Sequence, residues 1–165
     1  MSGLIYLYLI DEDQYPTSLT GDDAIKHQTL LDITEQEATL WQSMELNQLG
    51  FMSALEVLDG IMGNSRLLPI CTYHFFPHEL IGPDADIDDS FGYFPPAMVK
   101  DLFAVMQKNY DVQLDTPDAQ AVVTRVESTV GELNEEAYEL VRDAYFVTFR
   151  DAAEQEKAVV VLMEA

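Results

Sequence analysis

Leu4-Ile5-Tyr6-Leu7-Tyr8-Leu9-Ile10 lies near one end of this 165-residue chain, and Ala158-Val159-Val160-Val161-Leu162-Met163 near the other. Both runs are short, continuously apolar and rich in β-branched or aromatic residues. That is the pattern of a strand buried on both sides rather than of a helix. If the two pair at the centre of a sheet, the sequence ends meet in one core and everything between must pack around it. The expected class is therefore α+β, with one domain over residues 1–165.

Working inward, residues 11–21 carry Pro16 and Gly21 and read as a loop, after which a short helix is expected from Asp22 to Leu31. Thr34-Glu35-Gln36-Glu37 has the spacing of a capping box. It predicts a further helix with Ala38, Trp41, Leu46 and Leu49 as its apolar positions, interrupted at Gly50. Residues 52–62 continue as a helical stretch. Leu67 to Phe76 reads as a strand or an extended buried segment, and residues 77–96 as a loop containing five Gly and Pro between Gly82 and Pro96. Pro96 suits a first helical turn, predicting a helix to about Tyr110. Thr116-Pro117 opens another helix that Gly131 ends, and Asn134 caps a last one running to about Glu156.

Thirty Asp and Glu against eight Lys and Arg give a formal charge of −22. The surface must carry most of these carboxylates, since they are rarely buried unpaired. Such a surface repels nucleic acid and anionic lipid and speeds encounter with cations. The basic residues stand singly, so neither nucleic-acid nor membrane-surface binding is expected, and a basic protein partner is. Solubility or adaptation to salt is the competing explanation of the acid excess. Cys71, the single cysteine, fits a reducing compartment. The first apolar run lacks a basic leader and meets Asp11-Glu12-Asp13 at once. These features together predict a cytoplasmic protein.

In order along the chain, Leu4-Ile5-Tyr6-Leu7-Tyr8, Leu31-Asp32-Ile33 leading to Trp41, Gly92-Tyr93-Phe94-Pro95, and Arg150-Asp151-Ala152-Ala153-Glu154-Gln155 running into the final apolar strand resemble the YfbM-like family of small bacterial proteins. Where that family has a Gly-rich middle, this chain has Leu68-Pro69-Ile70-Cys71-Thr72-Tyr73-His74. The resemblance implies an α+β fold and a bacterial origin. It implies no catalytic residue, because the domain is one of unknown function.

Candidate chemistry is sparse. Cys71, His74, His78 and Glu79 offer a thiolate, two imidazoles and a carboxylate, all credible zinc ligands. Pro77 keeps the two histidines off one uninterrupted helix face, and aromatic neighbours favour a packed core edge, so no metal or other cofactor is expected there. Asp84-Ala85-Asp86-Ile87-Asp88-Asp89 imitates the start of a calcium loop, but Asp89 stands where glycine is needed and Pro95 where the bidentate Glu belongs. It reads as an exposed acidic loop. Glu135, Glu139 and Asp143 repeat at i, i+4 and i+8 of the last helix, with Glu132 and Glu136 beside them. This is either a well-capped solvated face or an anionic recognition stripe.

No catalytic set is assigned. The expected function is a non-enzymatic acidic binding protein, in its most concrete form an inhibitor or immunity protein that occludes a basic partner such as a secreted bacterial toxin. The expected partner contacts are Asp84, Asp86, Asp88, Asp89, Glu135, Glu139 and Asp143. The alternatives are a small enzyme, metal-dependent or otherwise, using the Cys71 cluster, and a structural or assembly component.

Overall fold

The terminal runs do form the centre of the sheet. In the computed structural model, which describes residues 2–63, 72–82, 85 and 91–164, β1 (Ser2–Ile10) pairs antiparallel with β4 (Ala158–Glu164), from Leu4 opposite Glu164 to Ile10 opposite Ala158. The strand order is β2-β1-β4-β3, with β2 spanning Thr39–Asn47 and β3 spanning Phe91–Phe94. Among the described residues five α-helices complete the α+β architecture: α1 (Asp23–Glu37), α2 (Gln48–Ile61), α3 (Pro96–Asn109), α4 (Pro117–Thr129) and α5 (Glu135–Gln155).

Both faces of β1 and β4 pack against apolar cores, the outer face of β1 only in part, which explains their largely apolar character. Ile5, Leu7, Leu9, Val159 and Val161 face an inner core shared with α2, α3, α4 and α5. Ile10, Ala158, Val160 and Leu162 face a second, outer core closed by Leu30 of α1 and by Phe76, Leu80 and Ile81. Gly60 lets α2 and α4 approach closely, since a Cβ there would stand 2.6 Å from Val122 Cγ1.

α5 is the longest helix and the main support of the inner core. Asn134 Oδ1 accepts the Ala137 N–H at 3.0 Å, satisfying one orphan donor of the first turn. At the other end, Glu156 takes a left-handed φ of 57°. The Lys157 N–H there returns to the Ala152 carbonyl at 2.9 Å, so the chain turns directly into β4.

Several expectations fail for local reasons. The helix expected from Asp22 to Leu31 continues to Glu37, and Thr34 lies inside it rather than capping a new one. Its hydroxyl is buried, donates to the Leu30 carbonyl at 2.8 Å and pairs with the Tyr15 hydroxyl at 2.7 Å. The helix predicted around Trp41 and Leu46 is strand β2, and the residue before α2, Asn47, caps it through the Gly50 N–H. Gly50 therefore opens a helix instead of interrupting one. Thr72–Phe75 forms a 3-10 turn, not a strand; residues 67–71 lie outside the described residues. Within the supposed loop 77–96, Phe91–Phe94 is a fully buried strand.

Strand β2 is tied to α5 through a bulge. Leu7 pairs with Gln42 but Tyr8 pairs with Leu40, leaving Trp41 as the extra residue. Bulges re-aim side chains, and here Trp41 packs on the inner core and donates Nε1–H to Asp151 Oδ2 at 2.8 Å. Asp151 also accepts from Arg150 Nε at 2.9 Å. The Arg150 bond foremost, with the Trp41 bond adding to it against partial burial, holds the Asp151 carboxyl below its ordinary pKa. A depressed carboxylate contributes stability that is present at neutral pH and lost as pH falls through the folded-state value. Trp41→Phe is expected to lose about 1.5–3 kcal/mol, the usual worth of a hydrogen bond to a charged group. Urea denaturation followed by circular dichroism at pH 7 measures it, and the deficit should shrink in acid.

Candidate functional site

The fold presents α5 as a rigid acidic ridge. Ala137, Tyr138, Val141, Ala144, Tyr145, Thr148, Phe149 and Ala152 bury one side of the helix. Helical spacing then directs Glu135, Glu136, Glu139 and Asp143 outward, and all four are exposed. Glu135 and Glu136 occupy the first turn, where the helix dipole favours negative charge. Leu140 is 45% exposed among them.

Asp143 differs from the other three. Its Oδ1 accepts the Tyr110 hydroxyl at 2.8 Å and Arg142 Nε at 3.0 Å, and the Arg142 guanidinium lies 4.7 Å from the Tyr110 ring centroid. The Asp143 hydrogen bond is the first cause of a raised Tyr110 pKa. Arg142 thus turns to Asp143 rather than to Glu139, and Asp143 joins α5 to the end of α3 while its charge is locally balanced. The unbalanced part of the stripe is Glu135, Glu136 and Glu139.

A second acidic feature lies on the opposite side of the sheet. Toward β2, the outer face is left open among the described residues. Leu4 and Leu40 are 40% and 50% exposed, and Tyr6 and Tyr8 are half-buried. The two tyrosine rings stand 6.2 Å apart, tilted by 42°. With Leu31 and Glu35 of α1 and Leu162, Met163 and Glu164 of β4 they line a groove of about 410 Å³. Partial burial first, and then Glu164 beside Tyr6 and Glu35 beside Tyr8, raise both phenol pKa values.

No family model, curated protein or solved structure matches the chain. Its function must be argued from these surfaces.

The other expected sites are less completely placed. Asp84, Asp86, Asp88 and Asp89 lie outside the described residues, as does Cys71. His74, His78 and Glu79 are exposed, and the His74 ring rests 4.1 Å from that of Phe75. Among the described residues no three His, Cys, Asp or Glu side chains are grouped to hold a metal ion. No described helix is long and apolar enough to cross a membrane.

Deep tyrosines link the protein's stability to alkaline pH. Tyr145 is wholly buried and its hydroxyl has no hydrogen-bond partner among the described residues. Tyr93 donates to Glu12 Oε2 at 2.9 Å, and Tyr15 pairs with Thr34. Burial, the largest cause for each, pushes all three phenols well above their ordinary value. A raised folded-state pKa gives stability that is complete below the unfolded value, about 10, and lost as pH rises through the folded one. The urea midpoint is expected to fall steadily above about pH 10, with these three tyrosines ionising only on unfolding. Ultraviolet titration of tyrosinate alongside the denaturation curve measures both; ionisation of all eight tyrosines in the native state would contradict it.

Proposed function

We propose that this chain is a non-enzymatic acidic binding protein whose α5 ridge docks on a basic protein partner, in its most concrete form an inhibitor or immunity protein covering the active face of a secreted bacterial toxin. The observation that carries this reading is the rigidity of the ridge. Glu135, Glu136 and Glu139 project from a helix whose reverse side is locked in the inner core, so little conformational entropy is lost on association. A formal charge of −22 adds long-range attraction for a cationic surface and accelerates encounter. The acidic residues 84–89 belong to the same proposal as a second contact, and the bacterial setting rests on the YfbM-like motifs. The single cysteine supports a cytoplasmic location.

Affinity capture from the native cell at low ionic strength tests the reading. It requires a stoichiometric basic protein that is held by the wild-type chain and held more weakly by Glu135→Gln/Glu139→Gln. Retention of the same protein undiminished by the variant contradicts the ridge as its contact.

A further inference from the structure

The open groove on the outer sheet face has a chemistry that the ridge lacks, because it combines aromatic rings with carboxylates. We infer that it receives the guanidinium group of an arginine side chain presented by a basic polypeptide. The inference rests on the reading that the partner is basic, but it concerns a different surface: α5 packs on the inner face of the sheet, and the groove opens on the outer one.

Three features select this occupant. Tyr6 and Tyr8, 6.2 Å apart and tilted by 42°, stand side by side in the lining, and aromatic ring faces attract a cation lying within about 6 Å of a centroid. Glu35 comes from α1 and Glu164 from β4, so a planar cation entering the groove has carboxylate acceptors on two different elements. Leu31 and Leu162 supply apolar lining along which a methylene stem can lie while its charged end reaches the acids. The described lining contains no Lys or Arg to neutralise the carboxylates.

Arginine suits the groove better than lysine. Its guanidinium is planar, stacks on aromatic rings and offers a fork of N–H donors to separated carboxylates, whereas an ammonium is a compact, strongly hydrated point charge. A volume of about 410 Å³ lies within the usual range of small-molecule sites, about 300–1,000 Å³, and leaves room for the side chain with part of its flanking backbone. The site is preformed: Tyr6 and Tyr8 are fixed by the pairing of β1 with β2 and β4.

The test uses the full isotopically labelled chain and three blocked tripeptides, Gly-Arg-Gly, Gly-Lys-Gly and Gly-citrulline-Gly, titrated near physiological ionic strength and followed by amide chemical shifts. The arginine peptide is expected to give saturable shifts centred on Tyr6, Tyr8, Glu35 and Glu164. The lysine peptide should bind about tenfold more weakly, and the uncharged citrulline peptide should give no saturable shift. Glu35→Gln, an exposed substitution that should leave the fold intact, is expected to weaken the arginine peptide about tenfold, and Tyr8→Leu at least as much. Glu135→Gln/Glu139→Gln should leave these shifts unchanged. Shifts spread evenly over the acidic surface, equal affinity for the arginine and lysine peptides, or full binding by Glu35→Gln would overturn the inference. If the groove fails while partner capture still depends on α5, only this inference falls; if the peptide binds while capture ignores α5, only the ridge reading falls.

Discussion

Phe149→Ala is expected to destabilise the protein by about 3–5 kcal/mol, the usual cost of emptying a buried aromatic site. Phe149 is wholly buried on α5. Its ring meets Phe94 of β3 edge-on at 5.4 Å and lies nearly parallel to Tyr145 at 5.8 Å. Truncation therefore removes contacts to the sheet and within the helix together, and neighbours held by strand pairing can collapse only partly into the space. Against a typical total stability of about 5–15 kcal/mol, the loss leaves a marginal fold. Phe146, half-buried against Phe103 and Tyr110, should cost clearly less on the same change. Urea denaturation of both variants measures the contrast, and a loss below about 1 kcal/mol at Phe149 would contradict the position assigned to it.

The second large effect concerns recognition. Glu135→Gln/Glu139→Gln is expected to weaken association with the basic partner about tenfold while leaving thermal stability nearly unchanged. Two exposed carboxylates facing cations contribute roughly 0.5–1 kcal/mol each, and about 1.4 kcal/mol corresponds to tenfold in affinity. Relief of the repulsion between like charges four residues apart offsets the loss of a first-turn acid that the helix dipole favours, so the affinity loss is not attributable to unfolding. Asp143→Asn should behave differently. It removes the charged acceptor of Arg142 and Tyr110 and should register mainly as a modest stability loss. Titration calorimetry and thermal melts on the same samples separate the two behaviours.

The contrast between Asp143 and its neighbours shows where sequence reasoning stops. The i, i+4, i+8 spacing was enough to put three acids on one exposed side of α5, because helical geometry is local. That Asp143 is bound to the end of α3 depends on tertiary packing and has no sequence signal. The central strands were legible because a sheet buried on both faces demands unbroken apolar runs. Strand β2 was not, although Met44 and Leu46 alternate with Ser43, Glu45 and Asn47 in a strand-like pattern. The capping-box spacing at Thr34 outweighed that alternation, and only the structure shows the Thr34 hydroxyl already engaged with Leu30 and Tyr15. Phe91–Phe94 was hidden by Gly92 and the two following prolines, yet it lies against Val159–Leu162.

The tyrosine groove was the least legible feature. Tyr6, Glu35 and Glu164 come from the start, the first third and the end of the chain, and only the β2-β1-β4-β3 order brings them together. The one available hint was Tyr6 and Tyr8 falling on the same side of an otherwise aliphatic strand. Two phenols at alternate positions are unusual filling for a buried face and ordinary for a half-open one.

The central claim, that the acidic surface exists to engage a basic protein, is tested most directly by association kinetics. The captured partner should be mixed with the wild-type chain and with Glu135→Gln/Glu139→Gln across ionic strengths from about 0.01 M to 0.15 M, over which the Debye length falls from about 30 to 8 Å. The wild-type association rate should drop at least about tenfold across that range, with a shallower dependence for the variant. A rate independent of salt, or the same slope for both proteins, would contradict the account.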